Sequence, residues 1–366
     1  RYLTCVKYSG IGNTRSAGRV QTPTLALVVE REKERDAFVP EDYWVITGTA
    51  APKDEHDDAF TATHATARFK DKGEADGVMA RIAGATEATV SAIEKKRRKS
   101  NPPAPFNTTS LMAAASSIGI KPARTMRIAE SLYMNGYTSY PRVDNTVYPE
   151  GLDLRGVLDI LAKVPDFREG AEALLAKGKL TATRGKQETT DHPPIYPTGA
   201  ADPDKLRPEE WKLYSLICRR FMATLSDAAT LESTKVTLDV AGEPFTARGD
   251  VLVEPGYRSV YPYGLKKDEQ MPPLVEGQTL DFWDADCAHK QTEPPARYSS
   301  GKLVQEMEAK GLGTKATRHD MIERLYSRHY IVNDPIEPTQ LGIAIIDALE
   351  KFAEPTRQAE ISYAVF

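Results

Sequence analysis

Hydrophobic and polar positions along the chain change period several times, and each change predicts an element. In 22–36 (TPTLALVVEREKERD), Leu25, Leu27, Val28 and Val29 precede a charged stretch, which predicts a helix with Pro23 in its first turn that closes before Pro40. Residues 43–50 (YWVITGTA), 60–70 (FTATHATARFK) and 87–94 alternate and are rich in β-branched and aromatic residues, which predicts three strands. Their partners lie far downstream. Residues 234–248 (TKVTLDVAGEPFTAR) read as a hairpin, with Val236, Leu238 and Val240 on one face and a turn at Ala241-Gly242, and 251–262 and 279–284 continue the strand pattern. A β domain is therefore expected in two halves, with 100–232 inserted between them.

The insertion reads as helical. It opens on a stiff Asn101-Pro-Pro-Ala-Pro105 linker and a helix from about Ser110. Pro122 then starts a helix with Met126, Ala129, Leu132 and Tyr133 on one face, and Gly136 stops it. Further helices fit 150–163, 168–177 and 207–228. Residues 300–331 read as helix, Gly-Leu-Gly turn, helix and short strand, the outline of a helix-turn-helix with a wing.

Composition narrows the class. The 366 residues are 40% hydrophobic and 27% charged, an ordinary globular balance that excludes wholesale disorder. The net charge of −4 excludes a uniformly basic nucleic-acid binder, but the total hides structure. Residues 91–127 hold eight Lys and Arg against the single Glu94, a local +7 centred on Lys95-Lys-Arg-Arg-Lys99, whereas 51–77 sum to −3. A polyanion-facing basic hinge is the functional expectation; a solvated charge run is the plainer one. Three scattered cysteines (Cys5, Cys218, Cys287) argue for a reducing compartment, and no apolar run has the length of a membrane span. A soluble, cytoplasmic protein is the default expectation. Arg1 in place of Met, and the stop at Phe366, read as cuts in something longer.

Five constellations can carry chemistry. In Ser16-Ala-Gly-Arg-Val-Gln-Thr-Pro23, Arg15 and Arg19 offer phosphate-matching forks ahead of a helix start, with Gln21 beside them. In Gly136-Tyr-Thr-Ser-Tyr-Pro-Arg-Val-Asp-Asn145, Pro141 holds the chain extended, so Tyr140, Arg142 and Asp144 project to one side. A tyrosine hydroxyl titrates near ~10 and is a poor nucleophile unless a cation stabilises its phenolate. Arg142 is placed to do that and to stabilise transition-state charge, with Asp144 to orient the arginine. Asp191-His-Pro-Pro-Ile-Tyr-Pro-Thr198 makes a rigid loop whose His192 is a donor to a phosphate or to the tyrosine. Gly311-Leu-Gly-Thr-Lys-Ala-Thr-Arg-His319 pairs an N-cap pattern at Thr317 with Lys315 and Arg318, a suitable seat for a DNA phosphate. The fifth is the basic run itself.

In order along the chain, SAGRVQTPTL, PFNTTSL, LYMNGYTSYPRVDN, HPPIYPT and GLGTKAT resemble the motifs of type IA DNA topoisomerases, especially the archaeal topoisomerase I and topoisomerase III branch. The resemblance implies that Tyr140 is the nucleophile that holds a 5′ phosphate, that Arg142 positions the scissile phosphate, and that Asp144 is its acidic neighbour. It implies that His192, Thr317, Arg19, Arg15, Gln21, Ser139, Lys315 and Arg318 face DNA near the cut. The acidic residue that the family carries one turn before the tyrosine is Met134 here, and Glu130, one turn further back, is the candidate substitute. The implied fold is a multidomain α+β torus. It comprises a split β-rich arch (39–98 and 233–292), an inserted helical catalytic domain (99–232), and a DNA-groove domain in two parts (1–38 and 293–366), the second winged-helix-like.

The resemblance further implies an isomerase that cleaves one DNA strand, passes another through and reseals it without ATP; no G-x-x-x-x-G-K-[ST] occurs. The implied substrate is single-stranded or underwound DNA, and the implied state is a monomer away from membranes. The family's Toprim domain with its Mg²⁺ ligands has no counterpart in this stretch; Asp284-Ala-Asp286 follows a late strand, in the wrong part of the order. The alternatives are a catalytically silent single-stranded DNA-binding fragment and a winged-helix DNA-binding protein.

Overall fold

The structure is a computed structural model, and it describes residues 6–7, 14–15, 18–53, 55–264 and 271–350, with side chains from residue 18 onward. In chain order the elements are β1 (Val6–Lys7), β2 (Thr14–Arg15), α1 (Gln21–Asp36), β3 (Asp42–Pro52), β4 (Phe60–His64), α2 (Lys72–Ile82) and β5 (Glu87–Ser100). Next come α3 (Thr108–Ser117), α4 (Pro122–Met134), α5 (Leu154–Ala162), α6 (Pro165–Leu175) and α7 (Pro208–Thr224). The chain continues through β6 (Ala229–Val240), β7 (Glu243–Glu254), β8 (Thr279–Gln291), α8 (Ser300–Ala309), α9 (Arg318–Ser327), β9 (Ile331–Val332) and β10 (Glu337–Pro338). They fall into two compact units, one of residues 39–102 and 226–294, the other of 1–38, 103–225 and 295–366.

The first unit is a closed antiparallel barrel in the order β3-β4-β7-β6-β5-β8. Its interior is built by alternation: Ile46, Val90, Val236, Leu238, Val240, Phe245, Leu280 and Phe282 are buried together, with Ala75, Val78 and Ile82 of α2 packed into the same core. The β6–β7 turn is tight because Ala241 and Gly242 both take positive φ (53° and 86°), the requirement of a two-residue hairpin loop. Gly48 sits where a Cβ would stand 2.3 Å from the Phe282 ring, so only glycine fits opposite the β8 bulge.

Several boundaries differ from the alternation pattern. The 60–70 strand ends at His64, and Phe69 keeps only an isolated bridge to Trp44. The 251–262 stretch stops pairing at Glu254 and turns into a short 3-10 helix at Gly256–Ser259. Helix α2 carries its apolar residues too sparsely to stand out from the flanking strand pattern. The largest change is in the basic run. The strand expected over 87–94 continues to Ser100, so Lys95–Lys99 lies inside a ladder with β6 rather than in a loop. There Arg97 meets Glu232 (2.8 Å), Lys96 meets Glu94 (3.4 Å) and Arg98 meets Asp250 (3.6 Å).

In the second unit, α1, α3, α4, α8 and α9 share one core. Leu25, Val28 and Val29 meet Met112, Met126, Leu303, Val304, Met307, Ile322 and Leu325 in it. Helix α3 begins at Thr108, earlier than the periodicity suggested, because Asn107 and Ser110 form a reciprocal capping box. Gly311 and Gly313, both at positive φ, link α8 to α9, and a two-stranded ladder β9–β10 follows.

Candidate active site

The tyrosine stretch is delivered by a helix stop. At the end of α4, Gly136 N–H bonds Tyr133 O and Tyr137 N–H bonds Leu132 O (both 2.9 Å), with Gly136 at φ 75°; this double bond pattern turns the chain sharply out of the helix. The chain then runs extended. Ser139, Pro141, Val143 and Asn145 are buried, while Tyr140, Arg142 and Asp144 alternate to the partly open side.

That segment is clamped from behind. Residues 137–139 bond backbone to backbone with 196–198 (Ser139 N to Tyr196 O, 2.9 Å; Thr198 N to Tyr137 O, 2.9 Å). Thr108, fully buried, accepts from Val143 N–H at 2.8 Å, and its hydroxyl lies 2.8 Å from Pro141 O. Asn145 donates to Thr189 O (2.8 Å) and His192 O (3.1 Å), tying the tyrosine segment to the histidine loop. Sequence reasoning gave neither Thr108 nor Asn145 a role. Their signal was present, since a buried Thr or Asn inside a quoted motif needs partners.

On the open side, the Tyr140 ring packs between His192 (centroids 4.9 Å) and Tyr133 (5.3 Å). Arg142 donates from Nε (2.8 Å) and Nη2 (2.5 Å) to Glu130 Oε1 and from Nη1 to Ala316 O (3.0 Å). Three of the five N–H donors of its fork are thus used by the protein, and two remain. The expected pairing of Arg142 with Asp144 is corrected: Glu130 of α4 holds the arginine, because Asp144 turns to Lys315 Nζ at 3.2 Å. Met134, at the family's acidic position, is exposed.

Lys315 is a clip between loops, reaching Asp144 and, at 2.9 Å, Asp191. Burial opposes its charge, but the two carboxylates outweigh burial and raise its pKa. Asp191 is held well below the usual carboxylate range by the Thr189 hydroxyl first, then by Lys315 and the His192 N–H. A free phosphate-binding ammonium is therefore not what Lys315 presents.

Three more expected DNA contacts are corrected. The Arg318 guanidinium is buried and donates to Glu308 (3.0 Å), Thr109 (3.1 Å) and Leu312 O (3.3 Å), so it anchors α9 to α8 and α3. Ser139 is buried, donating to Pro194 O (3.2 Å) and accepting from Tyr196 N–H (3.0 Å). Gln21 is also buried and accepts from Arg328. Thr317 Oγ1 accepts from Thr314 N–H (3.0 Å) inside the α8–α9 turn, and Arg19 is exposed. The Arg15 side chain lies outside the described residues.

A family profile described as DNA topoisomerase matches residues 1–362. The chain belongs to the DNA topoisomerase family. Its relatives place it among the type IA enzymes, as the motifs implied. It is 42% identical to DNA topoisomerase 1 of Archaeoglobus fulgidus over 339 residues (93% of this chain, 49% of that protein). It is 38% identical to DNA topoisomerase 1 of Pyrococcus horikoshii over 360 residues (97% and 52%). Its fold is similar to full-length topoisomerase I from Thermotoga maritima, with TM-score 0.71 at 27% identity, covering 93% of this chain and 56% of that one. The chain spans about half the length of the curated relatives it matches.

Magnesium does not fit the residues described. Among them no three His, Cys, Asp or Glu side chains gather to hold an ion, and Asp284 and Asp286 lie in barrel strand β8. Among the described residues no helix is long and apolar enough to cross a membrane.

Proposed function

We propose that this chain is the strand-cleaving part of a type IA DNA topoisomerase. The observation that carries the reading is the Tyr140 ring packed 4.9 Å from His192 and followed two residues on by an arginine already aimed by Glu130 and Ala316 O. Tyr140 Oη attacks a phosphorus of one DNA strand. The Oη–P bond forms, the P–O3′ bond breaks, and the 3′ oxygen leaves as a hydroxyl after taking a proton. In this reading the His192 imidazole beside the Tyr140 ring takes the phenol proton and passes one to the leaving 3′ oxygen, and the two remaining Arg142 donors meet the non-bridging oxygens as charge builds there. The 5′-phosphotyrosine keeps the bond energy, so the 3′ hydroxyl reverses the step without ATP. No step is routed through a metal held by this chain.

The exposed Arg19 before α1 and the half-buried Thr317 of the α8–α9 turn are assigned to the strand's backbone near the cut, and Lys315 to holding the loops around it. Single-stranded or underwound DNA is the proposed substrate, a monomer the acting form, and a reducing, nucleoid-associated cytoplasm the place of work. Segments 1–38 and 293–366 are proposed as the groove, 39–98 and 233–292 as the arch, and 99–232 as the catalytic insertion. The test uses a 3′-labelled single-stranded oligonucleotide with the chain restored to the full length of its relatives. The wild type is expected to carry label into denaturing gels, and Tyr140→Phe to carry none; label that persists on the Phe variant sinks the assignment.

A further inference from the structure

A cavity lies along α4 from the tyrosine. It has a volume of about 230 Å³ and is lined by Lys121, Arg124, Arg127, Ser300, His319 and Tyr326, with Glu323 the acid among them. Helix α4 opens here with no side-chain cap and no acidic residue in its first turn, and Lys121 stands at its N-cap. Cations at the positive end of a helix dipole are unfavourable unless an anion joins them. Arg124 is neutralised by Glu209 (2.8 and 2.6 Å). Arg127 is exposed and has no carboxylate partner among the described residues, and Lys121 Nζ lies 5.2 Å from the Tyr326 ring centre.

An independent observation points the same way. His319 is only 5% exposed, yet its Nδ1 has no hydrogen-bond partner. Its Nε2 is 3.5 Å from Asp320, too loose to fix the proton on that nitrogen. An orphaned buried nitrogen in the wall of a cationic cavity marks a missing polar occupant. Helix α4 supplies both Arg127 in the cavity wall and Glu130, which holds Arg142, so one helix links the cavity to the tyrosine segment.

We propose that this cavity is a second subsite for the nucleic-acid strand, holding one backbone phosphate against Arg127 and Lys121 with the His319 imidazole as third partner and the Tyr326 ring as a stacking surface. The proposal rests on the cleavage reading above. A strand is favoured over a free anion by continuity. Arg127 and Glu130 share a face of α4. From Lys121 to Glu130 the helix rises about 14 Å, so a strand engaged at Tyr140 that follows α4 reaches the cavity within a few nucleotides.

The test measures affinity of the chain for a fluorescent single-stranded oligonucleotide across a salt series. Arg127→Ala with Lys121→Ala is expected to weaken binding roughly 3–10-fold and to reduce the slope of log K against log salt by about 0.7, one phosphate contact. His319→Phe, which keeps the ring and removes the orphaned nitrogen, is expected to weaken binding severalfold while the thermal midpoint holds; a purely structural histidine would lower the midpoint and leave affinity alone. Wild-type affinity and slope in the double variant overturn the proposal while leaving the Tyr140 reading intact. Calorimetric binding of inorganic phosphate that the double variant abolishes, with oligonucleotide affinity unchanged, overturns the strand assignment in favour of a small-anion site. A wild-type chain that binds no oligonucleotide overturns the cleavage reading along with this one.

Discussion

The β5–β6–β7 ladder and the Tyr140 segment both concentrate charge, and they do so in opposite ways. In the ladder, cations and acids are set opposite one another by register: Arg97 faces Glu232, and Glu94 faces Lys235. Arg97 and Lys235 find acidic partners on the neighbouring strand at the solvent-facing surface, and such pairs contribute little. Around Tyr140, the groups come from α4, the 139–145 segment, the 187–198 loop and the α8–α9 turn, and each is held by partly buried bonds to another segment. The densest basic run in the chain is thus the more ordinary region. A lone Glu, a lone Lys and a backbone carbonyl build the site.

Three substitutions press on that contrast. Arg142→Lys keeps the charge but loses the planar fork, so it no longer bridges Glu130, Ala316 O and a phosphate together. Covalent adduct formation is expected to slow by about 10²–10³-fold, measured by rapid quench; a loss below tenfold would show that charge alone suffices.

Lys315→Met removes the clip and leaves Asp144 and Asp191 with no shared cation. A thermal midpoint lower by a few degrees is expected near neutral pH. Because the Asp191 pKa is depressed, its share of this stability is present above the ordinary carboxylate value near ~3.9 and is lost as pH falls through the lowered one. The raised Lys315 pKa keeps the clip intact until pH climbs past ~10.4. Wild type and variant are therefore expected to differ across the neutral range and to converge in strong acid. Melting curves across pH that stay parallel in strong acid would break the ion-pair account.

Arg97→Ala is the smallest. It removes an exposed partner of Glu232, and no measurable change in midpoint is expected. A clear drop would mean that the ladder's charges act as a network and that the contrast between the two regions is overstated.

Much of the framework was legible because it is local. Strand alternation around Val236–Val240, the Ala241-Gly242 turn, the Pro122 start and the Gly136 stop of α4 depend on neighbours in sequence. The same holds for the one-sided projection of Tyr140, Arg142 and Asp144, which an extended segment imposes by its two-residue period. Helix α2 was missed because its stripe of Ala75, Val78 and Ile82 is short and broken by Gly73 and Gly77.

The sequence by itself determined which residues stand on the open side of the tyrosine segment and which family the chain resembles. It determined these because periodicity, turn chemistry and motif order are properties of the chain. Only the tertiary structure decided what each charge does. Arg142 turns to a glutamate 12 positions back and a carbonyl 174 positions on, Lys315 spends itself on two loops, and Arg318 disappears into an interhelical bond. The reason is physical. A charged side chain pairs with whatever packing brings within about 3 Å, and packing is fixed by the shared core rather than by distance along the chain.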